Sequence, residues 1–344
     1  MHTITSPTGT TAQPHSARRR KGVAFWIGRA VLGLLVLLVG LALLGASYEA
    51  IMAAGDATRY PPAGQLVDVG GYRLHLHCVG QGSPTVVMEA GGGGNVLHWM
   101  LVQPAIGRST RVCAYDRAGM GWSEPGPLPR TPQRIVAELH TLLANAGIPG
   151  PYILVGHSIG GKYVRLYASQ YPQDVAGMVL VDARHEEADA AMTPAMRADD
   201  RSRVQTEQRI TQVFRRLGLV RLLASGPADI PAATRRMIGV LASQSQALAT
   251  QWDEYTVWAD ADPALRAAPP LGQLPLIVLS SELTAERDPI LRATMRTQAG
   301  LSSNSRLVIA TNSGHGIQID QPTFVIDAVQ QLITAARTRQ PIGK

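Results

Sequence analysis

The chain has 344 residues, 45% of them hydrophobic, with a formal net charge of +7 and two cysteines. That length allows one large domain with additions, and two cysteines exclude a small disulfide-stapled scaffold. The charge is no argument for nucleic acid: five of the 32 Lys and Arg residues lie in positions 18–29, where no acidic residue occurs, leaving 27 basic against 25 acidic residues elsewhere.

Residues 1–17 are polar and rich in Ser, Thr and Pro, and Arg18–Lys21 form a basic cluster, so residues 1–22 are expected to be disordered. An apolar stretch runs from Val23 to Ala46, broken only by Arg29, and its uninterrupted part, Ala30–Ala46, is long enough to span a bilayer. No small-x-small cleavage site is evident around Gly45-Ala46-Ser47. Residues 23–53 therefore read as an uncleaved signal anchor, making a single-pass membrane protein. The basic cluster keeps the N-terminus cytoplasmic and places the chain beyond the span outside the cytoplasm. Residues 54–64, with Pro61-Pro62, read as a linker.

The first strand-like run with chemistry on it is Tyr72–Cys78. His75 and His77 alternate there beside Cys78, but no second group of ligands accompanies them and no metal is expected. The strand Thr85–Met88 leads into Glu89-Ala90-Gly91-Gly92-Gly93-Gly94-Asn95. Four glycines let the backbone approach a ligand and present its amides, and the absence of a following Lys-Ser/Thr excludes a phosphate-binding P-loop. The strand Arg111–Tyr115 enters Tyr115-Asp116-Arg117-Ala118-Gly119-Met120-Gly121-Trp122-Ser123.

The sharpest signal is Gly156-His157-Ser158-Ile159-Gly160, directly after the apolar run Tyr152–Val155 and before the helical pattern Val164, Leu166, Tyr167, Ala168. A G-x-S-x-G between strand and helix forces a turn so tight that the serine sits strained at its apex, with small residues on either side. Ile159, next after the serine, has an amide at the start of that helix, where a developing oxyanion would find a donor and a favourable dipole. Gly177–Val181 then forms an apolar run closed by a lone carboxylate, Asp182.

Residues 186–269 carry helical rather than strand patterns, at Ala191–Ala198, Ile210–Leu223, Ala232–Leu248 and Trp252–Trp258. Strand signals resume at Leu276–Leu279 and Leu307–Ile309. After the last comes Asn312-Ser313-Gly314-His315-Gly316, a glycine-flanked loop before a helix opening at Pro322. A loop at the carboxyl edge of a sheet can present an imidazole to the serine, which gives the order Ser then His.

From about residue 64 to 338 the chain resembles the α/β-hydrolase-fold serine hydrolases of the esterase and proline-iminopeptidase-like superfamily. Gly156–Gly161, Tyr115–Ser123 and Ser313-Gly314-His315 carry the resemblance in the family's order. It implies a mostly parallel eight-stranded sheet with helices on both faces, a core from 65–185 and 270–338, and a helical cap at 186–269. Met192, Met196, Trp252, Tyr255 and Trp258 are then candidates to line a pocket beneath the cap. The implied second oxyanion donor is Gly92, where the family often has His-Gly before the donor and this chain has Ala90-Gly91. The family's usual acid would fall near Thr284, which carries no charge; its alternative position is Asp182, with Glu282 and then Asp288 as rivals. In the family's strand order Cys78 and Cys113 lie on neighbouring strands, leaving a disulfide and two buried thiols both open.

The expected chemistry is hydrolysis of a carboxylic ester of a small acyl substrate by Ser158, His315 and Asp182, with Gly92 and Ile159 as oxyanion donors and no metal or organic cofactor. An aminopeptidase and a thioesterase are rivals within the class. A membrane-anchored protein that binds a ligand without turning it over is the rival outside it.

Overall fold

The computed structural model describes residues 22–342 apart from 224–229, 231, 243 and 288. The basic cluster at 18–21 and the candidate Asp288 therefore lie outside the described residues. Eight strands, β1 (Gln65–Asp68), β2 (Arg73–Val79), β3 (Thr85–Glu89), β4 (Val112–Tyr115), β5 (Tyr152–His157), β6 (Val175–Val181), β7 (Leu276–Ser281) and β8 (Ser305–Ala310), form one sheet in the order β1-β2-β4-β3-β5-β6-β7-β8. β2 pairs antiparallel with both β1 and β4, and the pairings from β4 through β8 are parallel. This is the α/β-hydrolase fold that the sequence resembles.

The central strands are apolar because both their faces are covered. On one face, helices Pro132–Asn145 and Gly160–Gln170 pack Ile135, Leu139, Leu142, Val164 and Tyr167 against Val87, Leu154 and Met178. Thr131 caps the first of these helices through the Arg134 amide, and Pro132 opens it. On the other face, helix Pro322–Thr338 brings Val325, Val329, Leu332 and Ile333 against Val86, Ile153 and Val179. The spacing of these side chains along each helix is the i, i+3/i+4 stripe that one buried face requires.

In the β2–β4 register Cys78 stands opposite Cys113 and the two form a disulfide, Cα to Cα 4.0 Å. Of the two readings left open by the sequence, the structure has the bonded one.

The apolar N-terminal segment forms one helix, Val23–Arg59, which extends past the expected end at 53 and through the first part of the expected linker. The reason is electrostatic: Glu49 and Asp56, about two helical turns apart, both bind Arg221, which rewards continuing the helix. The cap pattern also resolves differently at its breaks. Helix Glu186–Ala191 ends before a new helix, Pro194–Arg216, capped by Thr193. The pattern at 210–223 is split at Gly218, whose φ is +68°, and Ala232–Leu248 divides into Ala232–Ala242 and Ser245–Val257.

Candidate active site

β5 runs straight into the elbow, leaving Ser158 at φ +53°. A Cβ on Gly156 would stand 2.6 Å from the Gly160 carbonyl, and one on Gly160 would stand 2.6 Å from the Ala90 carbonyl. Both glycines are therefore required by close approach of backbone. The Ser158 amide donates to the Val181 carbonyl at 3.0 Å, which ties the apex to the end of β6.

His315 lies in the loop after β8, with Nε2 2.9 Å from Ser158 Oγ and Nδ1 2.7 Å from Asp182 Oδ2. Its loop is held from below. His157 Nε2 donates to the His315 carbonyl at 2.9 Å, the Ser281 hydroxyl donates to the Ser313 carbonyl, and the Gly314 amide donates to Asp320. A carbonyl only accepts, so His157 carries its proton on Nε2. Burial, with the nearby His315 adding to it, pushes the His157 imidazole down to about 3.

Asp182 closes β6 at φ +41°, with its amide on the Leu279 carbonyl at 2.8 Å and its second carboxylate oxygen accepting the Ser281 amide at 2.9 Å. Glu282 lies elsewhere, accepting the Asn312 amide at 2.8 Å, and Thr284 bonds with the Ser281 hydroxyl. Of the described carboxylates considered, Asp182 is the one brought to the imidazole.

Gly92 and Ile159 are neighbours across the serine: a Cβ on Gly92 would contact Ile159 at 3.8 Å. Both border, with Ser158, a cavity of about 250 Å³. Among the described residues neither amide is taken by a protein acceptor. The glycine loop behind Gly92 is held by Arg117, which donates to the Ala90 and Gly91 carbonyls at 2.7 and 2.8 Å. Arg117 also pairs with Glu89 and with Glu254 on the cap, all three buried.

The cap is fastened to the core a second time by Lys162, fully buried between Asp189 and Asp262. Of the five lining candidates, Tyr255 and Trp258 border the serine cavity together with Arg184, Asp200, Arg203 and Glu207. Met192 borders an adjoining cavity of about 440 Å³. Met196 is exposed, and Trp252 stacks on Tyr255 without bordering the serine cavity. The cap half of the pocket is thus more polar than the apolar candidates implied.

His75 belongs to a different arrangement. Its Nδ1 is 2.8 Å from Asp116 Oδ2, and Asp116 also accepts the amides of Val96 and Trp122. Burial opposes a charge on His75, but the bond and charge of Asp116 outweigh it and raise the imidazole. Among the described residues no three His, Cys, Asp or Glu side chains are grouped to hold a metal.

Sequence reasoning missed the roles in this geometry of His157, Arg117, Glu254 and Lys162. Arg117 sat inside a motif whose local pattern gives no partner, and Glu254 and Lys162 lie on helices where a charge ordinarily reads as solvated surface.

A model of the Alpha/beta hydrolase family matches residues 86–328. A protein of Schizosaccharomyces pombe with no stated activity is 35% identical over 163 residues, covering 39% of this chain and 30% of that protein. The (lyso)-N-acylphosphatidylethanolamine lipase of Mus musculus is 35% identical over 101 residues, covering 28% of this chain and 29% of the lipase. The chain thus spans less than a third of the length of these two curated relatives. Among solved structures, an esterase from Thermogutta terrifontis superposes with a TM-score of 0.60 at 20% identity, covering 79% of this chain and 98% of the esterase. A Vigna radiata epoxide hydrolase mutant superposes with a TM-score of 0.65 at 17% identity, covering 78% and 98% respectively.

Proposed function

Because the chain belongs to the alpha/beta hydrolase family, we propose that it is a serine hydrolase that cleaves a carboxylic ester through an acyl-enzyme. The observation that carries the reading is the unbroken series Asp182–His315–Ser158, with both contacts within hydrogen-bond distance and the serine facing a cavity bordered by Gly92 and Ile159.

In this mechanism Ser158 Oγ attacks the ester carbonyl carbon while His315 Nε2 takes its proton. Asp182 holds Nδ1–H and stabilises the imidazolium without itself taking the proton. The Gly92 and Ile159 amides receive the tetrahedral oxyanion. Collapse breaks the bond to the leaving alcohol, which takes the proton from His315. Water, deprotonated by His315, then attacks the acyl-enzyme and frees the acid and Ser158. His157 keeps its neighbour in place, and its low pKa keeps it neutral, so it adds no charge beside the forming imidazolium.

The reading includes a membrane anchor. The helix from Val23 is long and apolar enough to cross a bilayer, and its apolar side chains from Val31 to Leu44 are mostly exposed. The disulfide supports an extracytoplasmic position for the domain, since reducing compartments rarely keep one. Retention in membranes after carbonate washing, with protease reaching the domain only from the outer side, is the expected result; release of a soluble chain overturns the anchor.

The test of the chemistry is a fluorophosphonate probe on the full chain followed by a panel of p-nitrophenyl esters, amides and thioesters. Labelling of Ser158 with ester turnover supports the proposal. Labelling with preference for amides or thioesters moves the substrate class, and failure to label the folded chain overturns the hydrolase reading in favour of ligand binding.

A further inference from the structure

The anchor helix and the cap meet in a close and charged contact. A Cβ on Gly45 would stand 2.3 Å from the Leu217 carbonyl, and one on Gly218 would stand 2.8 Å from the Tyr48 ring. Only glycine permits the two backbones to approach this far. Immediately beyond, Arg221 Nε binds Glu49 and Arg221 Nη2 binds Asp56, each at 2.5 Å, and Glu49 is buried. The cap is thus locked to the helix from Gly45 to Asp56, beginning where the uninterrupted apolar run of the helix ends at Ala46.

A cavity of about 390 Å³ opens in this junction, bordered by Arg59, Arg221, Arg235 and Arg236 together with Tyr48 and Tyr60. Glu49 and Asp56 offset part of this charge, but both are engaged by Arg221. Arg59 Nη1 lies 3.7 Å from the Met52 sulfur, and Arg236 Nε donates to the Ala232 carbonyl at 3.4 Å. Among the described residues neither guanidinium is paired with a carboxylate, so each keeps a fork of donors for an anion. Beside this junction the cap helix Pro194–Arg216 exposes Ile210, Val213 and Phe214. Their i, i+3, i+4 spacing puts them on one face, within about two helical turns of Leu217.

We propose that this cavity is a binding site for a phosphate-bearing anion, a site separate from the serine. Guanidinium forks match phosphate oxygens in pairs, which favours phosphate over a compact halide or a diffuse charge. The exposed apolar face and the apolar helix on either side supply the surface that lipid chains would cover, with the cavity's guanidinium groups beside it to take a headgroup phosphate. This last step rests on the helix being a membrane anchor; the anion site itself does not.

The test uses the full chain in a neutral maltoside detergent, reading the thermal unfolding midpoint against dihexanoyl phosphatidylglycerol, dihexanoyl phosphatidylcholine and inorganic phosphate. Phosphatidylglycerol is expected to raise the midpoint saturably, and Arg59→Gln/Arg236→Gln to weaken its apparent affinity by at least ~10-fold, as loss of charge-assisted phosphate bonds implies. Turnover of p-nitrophenyl acetate by the double variant should stay within about two-fold of the parent, because neither arginine touches the serine cavity. An equal, arginine-dependent effect of inorganic phosphate supports the site and identifies a free phosphate as its occupant. The absence of a saturable effect, or one shared by phosphatidylcholine and indifferent to the double variant, overturns the proposal. Ser158→Ala should bind the anion normally. A chain that binds it but hydrolyses nothing would sink the hydrolase reading alone.

Discussion

Arg117 reaches Glu254 across the boundary between sheet and cap, with Nε and Nη2 at 2.9 and 3.0 Å from the two carboxylate oxygens. Arg117 also pairs with Glu89 and holds the Ala90 and Gly91 carbonyls, so the cap and the loop presenting Gly92 share one buried guanidinium. Glu254→Gln should therefore lower stability by about 3 kcal/mol, because it leaves a buried charge short of a partner. It should also reduce kcat more than it raises KM, because a loosened glycine loop weakens an interaction made in the transition state. Denaturant titration and steady-state ester kinetics check both; a large stability loss with unchanged kcat would separate the cap contact from the donor loop.

Ser158→Ala and His315→Ala should each remove several orders of magnitude of ester turnover, and the double variant should be little worse, because the pair acts as one unit. Asp182→Asn should cost at least ~10²-fold, since the amide favours the wrong imidazole tautomer and supplies no charge. Glu282→Gln should cost far less, because Glu282 bonds the Asn312 amide and does not reach His315. A reversal of the last two results would remove Asp182 from the proposed mechanism.

How much of this was readable in advance divides by the range of the interaction. The elbow is local: a strand, two glycines forced by backbone contacts and a helix lie within a few residues, so the serine could be named from its neighbours. His315 announced itself by glycine flanks after the last strand. Asp182 did not, because nothing within its own segment distinguishes a strand-end carboxylate that receives an imidazole from one that caps a turn. The choice between it and Glu282 depends on β6 and β7 lying side by side. Arg117–Glu254 and Lys162 with Asp189 and Asp262 were illegible for the same reason: each pairs residues at least 27 positions apart, most of them 100 or more. Two of the helix breaks in the cap turned on single residues, Pro194 and Gly218, inside otherwise continuous patterns.

His157 gives a prediction in pH. Its folded pKa, about 3, lies below the unfolded value near 6.5, so between these limits the unfolded chain binds the extra proton and stability falls as pH falls. Each pH unit in that window should cost up to ~1.4 kcal/mol from this residue. His157→Asn keeps a donor for the His315 carbonyl without titrating, so it should flatten the acid slope by up to one proton while changing little above pH 7. His185, lowered to about 4 chiefly by burial, has the same sign and should leave a residual slope in the variant. Urea titrations at pH 7, 5.5 and 4.5 measure the difference, and equal slopes in parent and variant would show that His157 does not titrate in this way.

The last prediction concerns where the chain can be cut. Treating residues 54–64 as a passive linker would make removal of everything before Gln65 harmless. The contacts argue otherwise. Such a cut removes Glu49 and Asp56 from Arg221, whose side chain is largely buried. It also takes the Tyr60 carbonyl from Trp122 Nε1 and the Ala63 carbonyl from His75 Nε2. A chain beginning at Gln65 should therefore be less stable by at least ~3 kcal/mol than one beginning at Ser47, which keeps all four acceptors and loses the apolar span. Arg221→Leu in the shorter chain should recover part of the loss, because the charge left without partners is then gone. Guanidinium titrations of the three proteins decide it: equal stability of the chains beginning at 47 and 65 would mean that the helix end contributes nothing to the domain it touches.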